Sequence, residues 1–462
     1  MPNAQCTLQD AESSKHLAFG IGHSAFNILR AIAIVAVTCL VLRPRPVSSH
    51  ETLTTTVLFD REIVRVLNKH CVMCHVENGP SFPLASYEET QLRGRKIRAE
   101  VIARHMPPWA AVPGYGQFVN ENSVTLRESQ FVVSWVEGLG PRNAGTVFLN
   151  VLDSGLPRPK IVRAEADFGR WQLGTPSLTR QLPAHTLDPP SDPARSTYVA
   201  RTVVDLGLTA ERRIRALEFM PGDRRVVRAA FFTLEETGQW LGGWTPWYGF
   251  VSLPAGAAYR VPAGSHVVAE IHYRAAKEPV VDRGTLGVYF AEPASDFGAP
   301  RPPSLPAGGS SGRRPLSPSS RRSGGPSPPS SGFAATLSEP SDLVLEARGE
   351  VQPGVGAQAF RAQTRLAKDT FALSLRPDLV AGAKSIEVFA RRPDGGTEIL
   401  LFAKDIPMEW PTPYIFKEPV HLGSGTVLSA VAYYANTAAA PQPGGFRLTI
   451  SRYERQTARL RQ

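Results

Sequence analysis

Residues 265–274 read SHVVAEIHYR, a short run in which apolar and polar side chains alternate. A period of two is the mark of a strand with one face against a core. The same texture returns at RTVVDLGL (201–208), RRVVRAAFFTL (224–234), GTLGVYF (284–290), DTFALSLR (369–376), KSIEVFAR (384–391) and TEILLFAK (397–404). Gly, Pro and Asp separate the runs, and short strands divided by turn residues predict antiparallel β-sandwich. Between the two groups lies RPPSLPAGGSSGRRPLSPSSRRSGGPSPPSSG (301–332), where Pro, Ser, Gly and Arg make up 29 of 32 residues. No core can form from that composition, so it reads as a solvated linker or long loop. The expected layout is therefore two sandwiches, residues 150–297 and 339–456, joined by 298–338.

The chain has 462 residues, which at about 150 per domain suggests roughly three domains. Apolar residues at 42% and charged residues at 20% exclude a wholly disordered chain. The net charge is +10, but five arginines and no acid within 301–332 carry half of it. Nucleic acid is therefore not an expected partner. Residues 31–42, AIAIVAVTCLVL, form an apolar run of 12 preceded by Arg30 and followed by RPRPVSSHET. A run of that length suits the hydrophobic region of an export signal within residues 1–50. It is either cleaved after Ser49 or, with Arg43 and Arg45 behind it, retained as a membrane anchor over residues 24–45. A buried core helix is the bland alternative.

Cys6 and Cys39 belong to that leader; the other two cysteines are Cys71 and Cys74, in Cys71-Val72-Met73-Cys74-His75. C-x-x-C-H is the attachment signature of c-type haem. Each thiol forms a thioether with one haem vinyl group, the two-residue gap matches the vinyl spacing, and the adjacent histidine meets the iron. A thioredoxin-like pair would need a βαβ context, and a zinc knuckle a second Cys/His pair; neither is present. Leu58, Ile63, Val66 and Leu67 recur at helical spacing, so an amphipathic helix, capped by Asp60, is expected to deliver the motif at its C-terminal end. The sixth iron ligand is expected from Arg104-His105-Met106-Pro107-Pro108-Trp109, with Met106 ahead of His105 and Met73. A thioether opposite imidazole closes the iron to small ligands and raises its potential. Met106 as a core residue is the competing reading. Arg93, Arg95, Lys96 and Arg98 are candidates for pairing with haem propionates or form a solvated basic face, and Trp109 and Trp135 are expected to pack beside the haem.

The stretch from CVMCHVENGPSFPLASYEE through RHMPPW to SQFVVSWVEGLGP (71–141) resembles the small cytochrome c domain at the N-terminus of many exported bacterial proteins, a likeness that covers residues 57–145. That resemblance implies Cys71 and Cys74 as attachment points, His75 and Met106 as axial ligands, one covalent haem c, and an all-α domain over 51–147. The later region resembles type II copper, ascorbate-dependent monooxygenases, relatives of peptidylglycine alpha-hydroxylating monooxygenase. MPGDRRVVRAAFF, GGWTPW, LPAGAAYRVPAGSHVVAEIHYRA, RPDGGTEILL and PMEWPTPYIFKEPVHLGSGT carry the likeness. It implies two jelly-roll sandwiches, each holding one copper.

Most of the copper ligands are missing. Arg228 and Ala229 stand where the family has a His-His pair, and Asp378 and Val380 stand where it has His-x-His. The thioether position falls near Ala432 or Tyr433, with Met408 some two dozen residues away. His272, before Tyr273, is retained; His185, His266 and His421 are scattered. A copper site needs about three imidazole or thioether donors, so copper is not expected. No G-x-S-x-G elbow or H-E-x-x-H helix is present.

Three readings follow. The first is an exported electron carrier of the bacterial periplasm or the periplasmic membrane face. It works with a redox partner protein as an electron carrier rather than through monooxygenase activity, and has sandwiches kept for docking. The second is a copper monooxygenase fed by the haem, and the third a cell-surface binding module with a structural haem.

Overall fold

The alternating runs are strands, and they assemble into two sandwiches. The computed structural model describes residues 55–77, 79, 81–143, 169–189, 197–276, 278–291 and 338–454. The expected signal or anchor within residues 1–50, and all but the last residue of the expected linker 298–338, lie outside the described residues. Among the described residues no helix is long and apolar enough to cross a membrane.

The first sandwich contains β1 (Leu178–Gln181), β2 (His185–Leu187), β3 (Thr197–Asp205), β4 (Arg212–Met220), β5 (Val227–Leu234), β6 (Trp240–Trp244), β7 (Phe250–Ser252), β8 (Tyr259–Val261), β9 (His266–Arg274), β10 (Val280–Asp282) and β11 (Thr285–Phe290). The second contains β12 (Ser341–Val351), β13 (Gln358–Arg365), β14 (Thr370–Leu379), β15 (Ala383–Arg391), β16 (Thr397–Lys404), β17 (Tyr414–Leu422), β18 (Val427–Tyr434) and β19 (Gln442–Glu454). In the second, a sheet of order β12-β19-β14-β17 shares a core with one of order β13-β18-β15-β16. Numbered within the sandwich, that is first-eighth-third-sixth over second-seventh-fourth-fifth, the double Greek key of a jelly roll. The first sandwich repeats it: β1-β11-β4-β7, with β8 also on β4, shares a core with β3-β9-β5-β6. Here β7 and β8 act as one interrupted sixth strand, and β2 with β10 forms an added ribbon. The alternation in SHVVAEIHYR decides its packing, because Val267, Ala269, Ile271 and Tyr273 are all buried in that core.

The helical part is short. A π-helical turn, Phe59–Ile63, runs into α1 (Val64–His70), followed by α2 (Tyr87–Leu92), α3 (Gly94–Ile102) and α4 (Leu126–Glu137). Capping boxes start α2 at Ser86 with Glu89 and α4 at Thr125 with Glu128. Leu58, Ile63, Val66 and Leu67 are buried, and the last three pack with Val132 and Trp135. Asp60 is not the cap expected from the sequence: Leu58 holds that position, its N–H donating to Glu62 Oε2 at 2.9 Å. Asp60 lies inside the first turn and faces Arg142 at 3.8 Å. The helix begins earlier because the buried Phe59 extends its apolar face.

Between α3 and α4 the chain leaves the helices and joins the second sandwich. Ala111 bridges Ala403 and Phe118 bridges Phe416. The N–H groups of Val112 and Val119 donate to Phe402 O (2.7 Å) and Ile415 O (2.8 Å). Trp109, Ala111 and Phe118 are buried in that sandwich's core. Gly116 sits at φ 78°, where a Cβ would lie 2.4 Å from Leu400 O, so this close approach needs glycine. Asn120, 2% exposed, then ties three parts together. Its Nδ2 donates to Pro413 O (2.6 Å), its Oδ1 accepts from Ile415 N (3.1 Å), and its backbone O accepts from Trp247 Nε1 of the first sandwich (3.2 Å). Asn120→Ala strands a buried N–H and a buried C=O, and the expected loss is about 2 kcal/mol. Urea unfolding of the full chain checks it; an unchanged midpoint would contradict this role.

Candidate functional site

The C-x-x-C-H motif follows α1 directly: Cys71 is the C-cap of that helix, and the N–H groups of Cys74 and His75 donate to Cys71 O at 3.0 and 2.9 Å. One tight turn thus sets both thiols and the imidazole beside a single cavity of about 210 Å³. Cys71 and Cys74 are free thiols. Burial pushes both up to about 12, with Cys74 and Glu128 adding to the rise at Cys71 and Arg224 opposing it at Cys74. They stay protonated at neutral pH.

His75 Nδ1 lies 2.9 Å from the carbonyl oxygen of Phe82. A carbonyl only accepts, so Nδ1 carries the proton and Nε2 keeps a free lone pair. Burial lowers the His75 pKa, opposed by the Phe82 bond and aided by Arg93 and Lys96, so the ring is held neutral. Arg93 and Lys96 lie over the Phe82 ring, 4.8 and 5.5 Å from its centroid, bracing that wall.

Met106 reaches the same cavity and His105 does not. Arg104, at φ 57°, ends the α3 turn in the left-handed region, and the N–H groups of His105 and Met106 both donate to Glu100 O. The reversal leaves His105 exposed beside the Glu100 carboxylate (3.2 Å) and Met106 on the cavity wall, 37% exposed. Met73 lies off the cavity, its carbonyl accepting from Arg224 at 3.3 Å. Two thiols, a neutral imidazole with one nitrogen free and a thioether on one cavity form a donor set that fits covalent haem.

The other expected surroundings lie elsewhere. Arg95 is exposed on α3, and Arg98 pairs with Glu137 at 2.7 Å. Trp135 is buried in the helical core, donating from Nε1 to Pro141 O (3.0 Å). Trp109 is buried in the second sandwich against Tyr414, ring centroids 5.2 Å apart. Sequence reasoning missed the opposite wall, which comes from the sandwiches: Arg228, Arg274, Glu409 and Trp410. No local pattern announces it, since these residues meet only through tertiary packing.

The positions aligned with copper ligands hold other chemistry. Arg228 Nη1 donates to Glu409 Oε2 at 2.7 Å across the two sandwiches, and its guanidinium lies 4.6 Å from the Trp410 ring centroid. Ala229 is buried, Asp378 is exposed and Val380 packs on the second core. Ala432 is buried and Met408 is 42% exposed. His272 Nε2 donates to Glu270 Oε1 at 2.9 Å and lies edge-on to Phe231. A guanidinium, a methyl and an isopropyl group give copper nothing to bind, and the exposed Asp378 carboxylate with His272 leaves fewer imidazole or thioether donors than the roughly three that copper needs. His185 stacks on Tyr273, and His421 faces Asp369 at 3.9 Å. Among the described residues the one His/acid group compact enough for a metal is Glu235, Glu236 and His266, at the surface.

No family model matches the chain, and no curated protein matches it. Among solved structures, the major capsid protein P2 from bacteriophage PM2 aligns at 10% identity and a TM-score of 0.21, over 60% of this chain and 99% of that one. Allantoicase aligns at 10% identity and 0.16, over 54% and 76%. An oxalate decarboxylase aligns at 10% and 0.12, over 65% and 85%. Scores of that size carry no argument about this chain.

The hydrogen bond from His272, together with Arg201, outweighs burial and holds the Glu270 carboxyl down at about 2. A depressed carboxylate stabilises the fold above its ordinary range, and that stabilisation is lost as pH falls toward the folded value. Glu270→Gln is therefore expected to be less stable than wild type near neutrality, with the gap closing between about pH 5 and pH 2. Urea midpoints across that range check it, and a constant gap would contradict it.

Proposed function

We propose that this chain is an exported mono-haem c-type cytochrome that performs one-electron transfer, its β-sandwiches serving as a docking and enclosing frame. The observation that carries the reading is the convergence of Cys71, Cys74, His75 and Met106 on one cavity. In this reading residues 51–147 act as a cytochrome c domain, with Cys71 and Cys74 holding haem c through thioethers. Haem supplies the Fe(III)/Fe(II) couple when bound. The protein's part is to hold His75 neutral by burial and oriented through Phe82, to present Met106 at the end of α3, and to bury the cavity against the sandwiches. His75 and Met106 would together hold the iron, and an imidazole paired with a thioether would favour electron transfer over oxygen chemistry.

Export supports the reading, since c-type haem is attached outside the cytoplasm and the apolar run at 31–42 suits a signal or anchor. The protein would then work in the bacterial periplasm or on the membrane's periplasmic face, with a redox partner protein. The monooxygenase reading loses support because Arg228, Ala229 and Val380 offer copper no donor.

In a host competent for haem attachment, the mature chain is expected to gain the mass of one haem, and Cys71→Ala with Cys74→Ala to lose it. The ferrous protein should resist carbon monoxide, and Met106→Ala should bind it readily. Carbon monoxide binding by the wild type would contradict the Met106 assignment.

A further inference from the structure

The far wall of the cavity is more basic than its partners require. Arg228 is the extra residue of a β-bulge, since the β5–β9 register shifts between Val227 and Ala229. A bulge re-aims a side chain, and here Arg228 lines the cavity while Ala229 stays in the buried strand. Its side chain is 13% exposed, and Glu409 takes one end of the guanidinium. Its Nε is buried with no hydrogen-bond partner. Arg274, at the end of the neighbouring β9, lines the same cavity. Among the described residues its side chain has no hydrogen bond or ion pair, and burial, aided by the charge of Arg228, lowers its pKa. Lys96 adds a third cation from α3, with Glu100 and Glu409 as the acids on the walls. Two guanidiniums on one cavity, only one of them paired with a carboxylate, and with the buried Arg228 Nε unused, form a receptor for a further carboxylate.

Resting on the haem reading above, we propose that Arg228 and Arg274 bind the propionate carboxylates of haem c. The first sandwich is then the second half of the haem site and helps set its reduction potential. The sandwiches are coupled to the redox centre by charge, and the arginine that replaced a copper-ligand position acts as a positioning residue for haem. Positive charge near iron favours Fe(II), so removing it lowers the potential.

The test is the midpoint potential of the full-length holoprotein, read spectroscopically. Arg228→Gln and Arg274→Gln should each raise the ferric-to-ferrous ratio at fixed applied potential by about threefold to tenfold, tenfold being about 59 mV. Arg228→Lys should stay near wild type, and Glu409→Gln should shift the ratio the opposite way. Added inorganic phosphate should leave the wild-type potential unchanged, because propionates already fill the site. A phosphate-dependent potential would instead mark a receptor for free anions and overturn the proposal. Arg274→Gln breaks no ion pair, so it keeps the test clear of misfolding. Unchanged potentials with haem retained, or Glu409→Gln moving in the same direction as the arginine variants, would overturn this inference alone. A chain that matures without covalent haem would overturn the cytochrome reading and this inference with it.

Discussion

The molecule depends on a buried amide. Asn120 leaves the helical segment, satisfies a carbonyl and an N–H of the second sandwich, and offers its own carbonyl to Trp247 of the first. Each group is cut off from water, so each needs its partner, and one residue fixes three bodies at once. Two residues on, Asn122 Oδ1 meets His70 Nδ1 at 3.1 Å, at the end of the helix that presents the C-x-x-C-H turn. Arg224 continues the join, donating to Met73 O within the motif and to Pro246 O within the first sandwich. The cavity is thus the space left where these bodies are held, and its walls cannot be assigned to one domain.

That joint origin changes what the sandwiches are for. Two jelly rolls of identical strand order face each other through Trp240, Val251 and Ile415, with Trp240 N donating to Asp342 Oδ2 at 2.8 Å. Arg376 lies over Phe231 across the same join, 5.7 Å from the ring centroid. An apolar cluster, a hydrogen bond and a cation–π contact hold the two sandwiches together. The Arg228–Glu409 pair carries this to the cavity edge, where charge can act on a bound group.

Much of this was legible in the sequence. Period-two runs marked strands, and a linker composition marked the division between two β regions. The spacing in Cys71–His75 marked a site because its chemistry is local: one turn places all three side chains. Met106 was legible as the candidate ahead of His105, and the left-handed turn at Arg104 is what sets Met106 rather than His105 on the cavity wall. Trp109 and Trp135 were read as neighbours of the site, yet each fills a core, because a large apolar ring gains more from burial than from adjacency to a motif. The basic wall was hidden, since Arg228, Arg274 and Glu409 are far apart in sequence and meet through a bulge and an interface. The insertion of residues 109–120 into the second sandwich was hidden likewise, because edge pairing leaves no signal in either partner alone.

The central proposal is that one cavity holds haem iron and that Arg228, Ala229, Asp378 and Val380 hold no metal. The most direct measurement is an elemental count of iron and copper per chain, on protein matured with haem attachment, loaded with copper and desalted. One iron and no copper are expected. One or two retained coppers, or no iron, would contradict it.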